Sequence, residues 1–245
     1  MHKEKENDNY NDITNKSKED RDHVLKQVKE SNYGFYPTHE IEKFTISYNL
    51  WGGAQWPGAS VDSDKNILYV TAHDIPTKFK VFSSFDINKK LELKNNLLDI
   101  GKNNKLDDLE GYPGITPPWG SLTALNLNSG KILWQVPLGY FDELKKRGMK
   151  DTGTANFGGA TATAGNLVFV GGTLDKLIRA FDTQTGEELW SYELPYIGSA
   201  PPTVYAVNGE QFVIIPATGG MSLARIYPDL VEQGDAFVAF KLKKD

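Results

Sequence analysis

The sequence predicts an all-β chain with one short helix near its start, on two observations. From Gly34 onward, short apolar runs rich in Val, Ile, Phe and Tyr alternate with turns of Gly, Pro, Asn and Asp, which is typical of strands joined by tight connections. One such unit occurs twice without gaps, as LTALNLNSGKILW from Leu122 and as IRAFDTQTGEELW from Ile178. This self-similarity predicts a repeat architecture.

Composition excludes several classes of protein. The chain has 245 residues, enough to bury a core, and a formal net charge of −5 without a basic cluster, so no nucleic-acid partner is expected. It has no cysteine, which excludes disulfides and thiolate metal sites. The polar first residues hold no secretory signal, so the residues alone predict a cytoplasmic chain unless a further segment precedes Met1.

The predicted domain organisation is a leader with a helix, residues 1–34, followed by a β domain, residues 35–245. The first dozen residues are too polar to pack a core and are expected to be disordered. Ser17 and Asp20 have the spacing of a capping box, and Val24 and Val28 follow on one face. These signals predict a helix from about Lys18 to Glu30.

The β domain divides into hairpins in chain order. GASVDSDKNILYVTA predicts a first hairpin and LTALNLNSGKILWQV a later one, with an insertion from about Phe85 to Trp119 between them. The segment from Gly158 to Leu194 has turns that mark off four strands. A further hairpin turns on Asn208-Gly209 and is followed by one more strand. Four antiparallel strands in under about forty residues predict a propeller blade. The chain is thus a partial β-propeller of about two and a half to three four-stranded blades.

The repeated unit has a structural interpretation. Gly130 and Gly186 supply the positive φ of a tight turn, where a β-carbon would be costly. Trp134 and Trp190 follow four residues later on the outer strand, and an alanine on the preceding strand leaves room for each ring. We interpret both tryptophans as wedges between neighbouring blades.

The repeat Ala-x-Asp-x-x-Thr-Gly-x-x-x-Trp resembles the tryptophan-docking motif of quinoprotein dehydrogenases, which use pyrroloquinoline quinone (PQQ). Three longer stretches, GYPGITPPWGSLTALNLNSGKILWQVPLG, GTANFGGATATAGNLVFVGGTLDKLIRAFD and VNGEQFVIIPATGG, are similar in order and spacing to the C-terminal part of the membrane-type glucose dehydrogenase branch. The resemblance runs from about Asp12 to the end of the chain.

This resemblance implies the C-terminal portion of an eight-bladed quinoprotein propeller that oxidises a sugar, polyol or other alcohol. It implies PQQ and calcium as cofactors, with the calcium ligands and catalytic base upstream of this chain. The implied partners are the missing N-terminal blades and a respiratory quinone or cytochrome that accepts electrons. The implied location is the periplasm or the periplasmic face of a membrane. The alternatives are a non-enzymatic scaffold of the outer-membrane assembly lipoprotein type, which shares the docking motif, and an inactive truncated product.

Two segments precede predicted inner strands, where propeller ligands bind. By resemblance, Gln55 and Trp56 in AQWPG lie near the quinone, as do Asn156 and Phe157 in ANFGG. An aromatic ring with an adjacent amide suits a planar quinone, which is held by stacking and a few hydrogen bonds. The alternative is that the rings pack the blade cores and the amides cap turns. Asn49 is a competing polar candidate.

Two further features bear on substrate and metal. Met221 in ATGGM stands where related glucose dehydrogenases usually have His, and a thioether cannot exchange a proton with a sugar hydroxyl. This departure favours a more apolar alcohol or another polyol. Asp107, Asp108 and Glu110 form an acidic cluster that either binds a cation or belongs to a solvated loop.

The four histidines are His2, His23, His39 and His73, and they lack the spacing of metal ligands. The simplest interpretation places all of them on the surface. His73 alone follows a predicted strand and is a candidate to face the channel.

Overall fold

A computed structural model of the chain describes residues 10–34, 37–40, 43–48, 53–80 and 105–242. Asn49, His2, residues 1–9 of the predicted disordered leader and residues 85–104 of the predicted insertion lie outside the described residues. Tyr10 and Asp12 are described, and their carbonyl oxygens accept hydrogen bonds from Arg21 at 2.9 Å and from the Thr116 N–H at 2.8 Å. In the described ranges, no helix is long and apolar enough to cross a bilayer.

The described part of the chain is mostly β-structure, as predicted. Its helices are α1 (Lys18–Lys29), α2 (Asp142–Lys146) and α3 (Met221–Ile226). Its strands are β1 (Phe44–Tyr48), β2 (Ser60–Asp62), β3 (Ile67–His73), β4 (Pro76–Lys80), β5 (Gly120–Asn126), β6 (Ile132–Pro137), β7 (Ala160–Ala162), β8 (Leu167–Val170), β9 (Leu177–Asp182), β10 (Glu188–Glu193), β11 (Thr203–Val207), β12 (Glu210–Ala217) and β13 (Ala236–Lys241).

The described residues form two compact units, one within the ranges 10–48 and 74–117 and one within the ranges 53–73 and 118–242. In the first unit, Ser17 caps α1 as predicted and accepts a hydrogen bond from the Asp20 N–H at 3.0 Å. The apolar face of α1, with Val24 and Val28, packs into a small buried cluster. Strands β1 and β4 pair antiparallel in the same unit, a two-stranded sheet that the sequence did not predict.

The acidic cluster of the first unit is not a solvated loop. Asp108 is buried, and its carboxylate pairs with Lys16 Nζ at 2.8 Å. Lys16 also pairs with Glu110 and, at 3.8 Å, with Asp20. Lys16 therefore pairs with Asp108 and Glu110, whereas Asp107 pairs with Lys105 at 3.1 Å.

The second unit contains three antiparallel sheets in chain order. Their strand orders are β2-β3-β5-β6, then β7-β8-β9-β10, then β11-β12-β13. These are the predicted two four-stranded blades and a third of three strands. The predicted hairpin turn has positive φ at both Asn208 and Gly209, as a tight two-residue turn requires.

The two copies of the repeated turn match bond for bond. Asn126 Oδ1 accepts from the Ser129 N–H at 2.9 Å and from the Ser129 hydroxyl at 3.1 Å. Asp182 Oδ1 accepts from the Thr185 N–H at 2.8 Å and from the Thr185 hydroxyl at 3.1 Å. Asn126 and Asp182, which differ in the sequence, therefore accept the same hydrogen bonds in the two blades.

The tryptophans lie between blades, as interpreted from the sequence. Trp134 Nε1 donates to the carbonyl oxygen of Thr183 in the next blade at 3.1 Å. A β-carbon added at Gly186 would be 2.7 Å from Trp134 Cε3, so the ring lies directly on that turn. Trp190 packs edge-on against Phe240 of the third sheet, with ring centroids 5.1 Å apart. Side chains from neighbouring blades form the two buried clusters of this unit.

Candidate functional site

The first strands of the blades lie side by side in the second unit. The Ala162 N–H of β7 donates to Ser60 Oγ of β2 at 2.9 Å. The loops that precede these strands also meet, because a β-carbon on Gly159 would be 2.8 Å from Pro201 Cγ and 2.9 Å from the Pro57 carbonyl oxygen. The segments AQWPG and ANFGG are thus brought together.

A buried polar cluster lies where these two loops reach the end of β3. It consists of Gln55 before β2, His73 at the end of β3, and Asn156 before β7. His73 Nδ1 is 2.9 Å from the Asn156 carbonyl oxygen, and His73 Nε2 is 3.5 Å from Gln55 Nε2. The imidazole therefore bridges the two loops that the sequence analysis selected.

Asn156 is held by several contacts but keeps one polar atom unsatisfied. Its Nδ2 donates to the Ala72 carbonyl oxygen at 2.9 Å, and its backbone forms an antiparallel bridge with Thr173. Its Oδ1 is buried and has no hydrogen-bond partner within the part of the chain that the structure describes. A buried carbonyl oxygen without a donor costs about 1–3 kcal/mol, so this atom is suited to accept a hydrogen bond from a bound group.

The two predicted aromatic residues differ in environment. Phe157 is buried, with its ring centroid 5.1 Å from that of His73, and its N–H donates to the Gly172 carbonyl oxygen at 3.1 Å. Trp56 is 78% exposed in a turn that the Gly58 N–H closes on the Gln55 carbonyl oxygen at 3.0 Å. Phe157 thus packs inside the site, whereas the exposed Trp56, which follows Gln55 in the chain, does not pack a blade core.

His73 is the site residue that sequence reasoning largely missed. It is buried, whereas His23 and His39 are exposed as predicted. Burial lowers the pKa of His73 below its ordinary value, and the hydrogen bond with Asn156 opposes this more weakly. The imidazole is therefore neutral at neutral pH. A signal for its burial was present, since alternate residues of β3 point inward and His73 shares a face with Tyr69.

An ion-pair network centred on the buried Arg179, next to the ANFGG segment, was not predicted either. The guanidinium of Arg179 pairs with Asp175 and, at 2.9 Å, with Glu188. Arg179 also donates to Thr173 Oγ1 at 3.1 Å, which links the network to the strand position that bridges Asn156. Carboxylates raise the pKa of Arg179 against the opposing effect of burial. The network fixes the backbone behind Asn156.

Met221 is the first residue of α3 and is 66% exposed. Gly219 and Gly220 before it have φ of 87° and 73°, which turns the chain sharply out of β12. Across the described ranges, no three His, Asp or Glu side chains gather to hold a metal ion.

Comparisons with known proteins identify the family of this chain. Residues 1–213 match the family pattern, designated PQQ, of the β-propeller domain of glucose, ethanol and alcohol dehydrogenases. The chain is 33% identical over 214 residues to a probable quinate dehydrogenase (quinone) of Xanthomonas campestris pv. juglandis, which is 78% of this chain and 26% of that protein. It is 29% identical over 231 residues to the quinoprotein glucose dehydrogenase of Escherichia coli, which is 86% of this chain and 28% of that protein.

A solved structure supports the fold. The quinohemoprotein alcohol dehydrogenase ADHIIG of Pseudomonas putida matches 83% of this chain with a TM-score of 0.56 at 22% identity, over 28% of its own length. The described sheets are therefore part of a β-propeller, as predicted. The chain spans about a quarter of the length of the curated relatives described above.

Proposed function

This chain belongs to the PQQ family of β-propeller glucose, ethanol and alcohol dehydrogenases, and from that premise we propose that its blades form one side of the cofactor channel of a dehydrogenase. The substrate of that enzyme is a sugar, a polyol or another alcohol. One observation carries the proposal: the exposed Trp56 directly follows Gln55 of a buried polar cluster, and in that cluster the Asn156 Oδ1 has no donor among the residues that the structure describes.

The residues fit the ring of PQQ and its polar edge. The exposed face of Trp56 suits stacking against a planar tricycle, and Asn156 Oδ1 suits an N–H donor on it. Gln55, His73, Asn156 and Phe157 carry no positive charge when His73 is neutral, so the carboxylates of PQQ require basic partners elsewhere in the enzyme.

Each residue has a role in this proposal. Trp56 binds the ring by stacking, and Gln55 and Asn156 orient its polar edge. Phe157 excludes water behind the site, where it packs against His73. When bound, PQQ supplies the two-electron acceptor that alcohol oxidation requires.

The remaining parts of the function follow from the family. The relatives are about three times as long as this chain, and we propose that the part of the enzyme outside this chain supplies further blades with the calcium site and the catalytic base. The acceptor is a respiratory quinone or cytochrome, and the enzyme works in the periplasm or at the periplasmic face of a membrane. Met221 favours a substrate other than glucose, because its thioether cannot form the proton-exchanging contact of an imidazole.

The test is PQQ binding to the whole enzyme, in which the basic partners are present, measured by the quenching of tryptophan fluorescence. Trp56→Ala should weaken binding about tenfold through lost stacking. The matched control is Phe237→Ala, which removes an aromatic ring of similar exposure on β13. No binding, or equal losses in both variants, would overturn the proposal. Dye reduction by the whole enzyme with quinate, glucose and simple alcohols then identifies the substrate.

A further inference from the structure

His73 is buried, bridges both loops of the site and has no role in the function proposed above. We propose that it is a positioning residue whose obligatory Nδ1–H tautomer sets the orientation of the Gln55 amide, so that protonation of its Nε2 turns that amide and disorganises the site. The consequence for ligand binding rests on the proposed function, whereas the tautomer and the amide orientation do not.

The tautomer follows from the contact at Nδ1. The Asn156 carbonyl oxygen, 2.9 Å away, can only accept, so Nδ1 must carry the proton. The Asn156 N–H also points at Nδ1 from 3.4 Å, which would favour the opposite assignment. The carbonyl contact is the shorter by half an ångström, and in the opposite tautomer it would place two lone pairs against each other. The shorter contact therefore places the proton on Nδ1.

The orientation of Gln55 follows from the tautomer. A neutral imidazole with its proton on Nδ1 has a lone pair on Nε2, and the Gln55 amide presents Nε2, a pure donor, 3.5 Å away. Protonation would add a hydrogen to His73 Nε2 and place two donors face to face. The amide can restore the contact only by turning so that its oxygen faces the ring.

The surroundings of His73 leave no other way to accommodate the charge. The side chains that face the imidazole are Gln55, Asn156 and Phe157, and none of them is ionisable. On β5, the strand position paired with His73 is Gly120, which has no side chain. Among the residues that the structure describes, no counter-ion faces this positive charge, and burial opposes it, in agreement with the lowered pKa of His73.

The effect on the site comes from the position of Gln55. Trp56 is its immediate neighbour, and the Gln55 carbonyl oxygen closes the turn that carries the exposed indole. Turning the Gln55 side chain exchanges a donor for an acceptor at the edge of this turn. Acidification should therefore weaken PQQ binding and lower the stability of the fold, because the unfolded state binds the His73 proton more readily than the folded state does.

The first experiment needs no ligand. In uniformly ¹⁵N-labelled protein, the ring nitrogen shifts of His73 report the tautomer at neutral pH, with exposed His23 as the internal reference. We expect the Nδ1–H form, and on acidification we expect the side-chain amide signals of Gln55 to shift together with the ring of His73. An Nε2–H tautomer, or Gln55 signals that stay constant while His73 titrates, would overturn the proposal.

The second experiment uses two variants that keep one half of the imidazole each. In the wild type, PQQ affinity should fall about tenfold per pH unit below the pKa of His73. His73→Asn retains a donor near the Nδ1 position and removes Nε2, so its PQQ affinity should lose this pH dependence. His73→Gln places its amide near the Nε2 position and should release the loop at Asn156. A His73→Asn variant with wild-type pH dependence refutes the proposal. If PQQ fails to bind at every pH, the proposed function is wrong and the NMR result alone decides the role of His73.

Discussion

Replacement of Gly186 by Ala tests whether Trp134 wedges the first two blades together. Gly186 has a φ of 73°, where a β-carbon costs about 1–2 kcal/mol. The new carbon would also lie 2.7 Å from Trp134 Cε3. The ring cannot move away freely, because Trp134 Nε1 is hydrogen-bonded to Thr183 and the ring packs against Tyr69. Overpacking of this kind costs a further ~1–3 kcal/mol.

The repeat supplies a matched control. Gly130 occupies the same turn position with a φ of 68°, but a β-carbon there would have nothing within 4 Å. Gly130→Ala should therefore cost only the conformational part, about 1–2 kcal/mol, and Gly186→Ala about 2–5 kcal/mol. Urea unfolding followed by circular dichroism measures both free energies of unfolding.

A double mutant separates the two contributions. In a Trp134→Leu background the ring is absent, so Gly186→Ala should cost no more than Gly130→Ala. If the two glycine variants lose equal stability in the wild-type background, within about 0.5 kcal/mol, the wedge makes no energetic contribution and the reasoning from the repeat is refuted.

Two further predictions concern buried charge. Asp175→Asn should lower the free energy of unfolding by about 3–5 kcal/mol, because it leaves Arg179 buried with Glu188 as its remaining carboxylate. The control is Glu193→Gln, which breaks an exposed ion pair with Lys176 and should cost under about 1 kcal/mol. Equal losses of stability in urea unfolding would contradict this prediction. Burial raises the pKa of Asp107 to about 6, so the folded state binds that proton more tightly than the unfolded state, and the contribution of Asp107 to stability should fall by roughly 3 kcal/mol as pH rises from about 4 to about 6. Asp107→Asn should remove this slope, and an unchanged slope would show that the group is not buried in solution.

Local patterns were sufficient to predict the blades. Period-two alternation, the Asn208-Gly209 turn and the repeated Ser-Gly and Thr-Gly turns act over a few residues, and each is visible in the chain. The position of Trp134 between two blades was predicted from the repeat, because a tryptophan that recurs at the same position of each blade can contact the next blade each time. The helix was predicted to within one residue at its end, Lys29 in place of Glu30.

The sequence was less informative where contacts join distant segments. Lys16 neutralises the acidic cluster from more than ninety residues away, as the 94-residue separation from Glu110 shows, and no local pattern records that pairing. The pairing of β1 with β4 is similarly long-range. His73 was undervalued because a histidine after a strand is usually exposed, and only the inward register of β3 and the loop at Asn156 place it inside.

The repeated turn differs between blades in one functional group, an amide at Asn126 and a carboxylate at Asp182. Hydrogen bonds from the backbone N–H groups of Thr185 and Gln184 lower the pKa of Asp182, so this turn is held by an ionised acceptor. Stability that depends on it is present above the ordinary pKa of aspartate and is lost as the carboxylate becomes protonated, while the Asn126 turn does not titrate. Because Trp134 rests on the Asp182 turn, strong acid should loosen the seam from the second blade's side first. The same turn therefore titrates in the second blade and not in the first, so acid should weaken the contact between these two blades through Asp182 while the Asn126 turn keeps its hydrogen bonds.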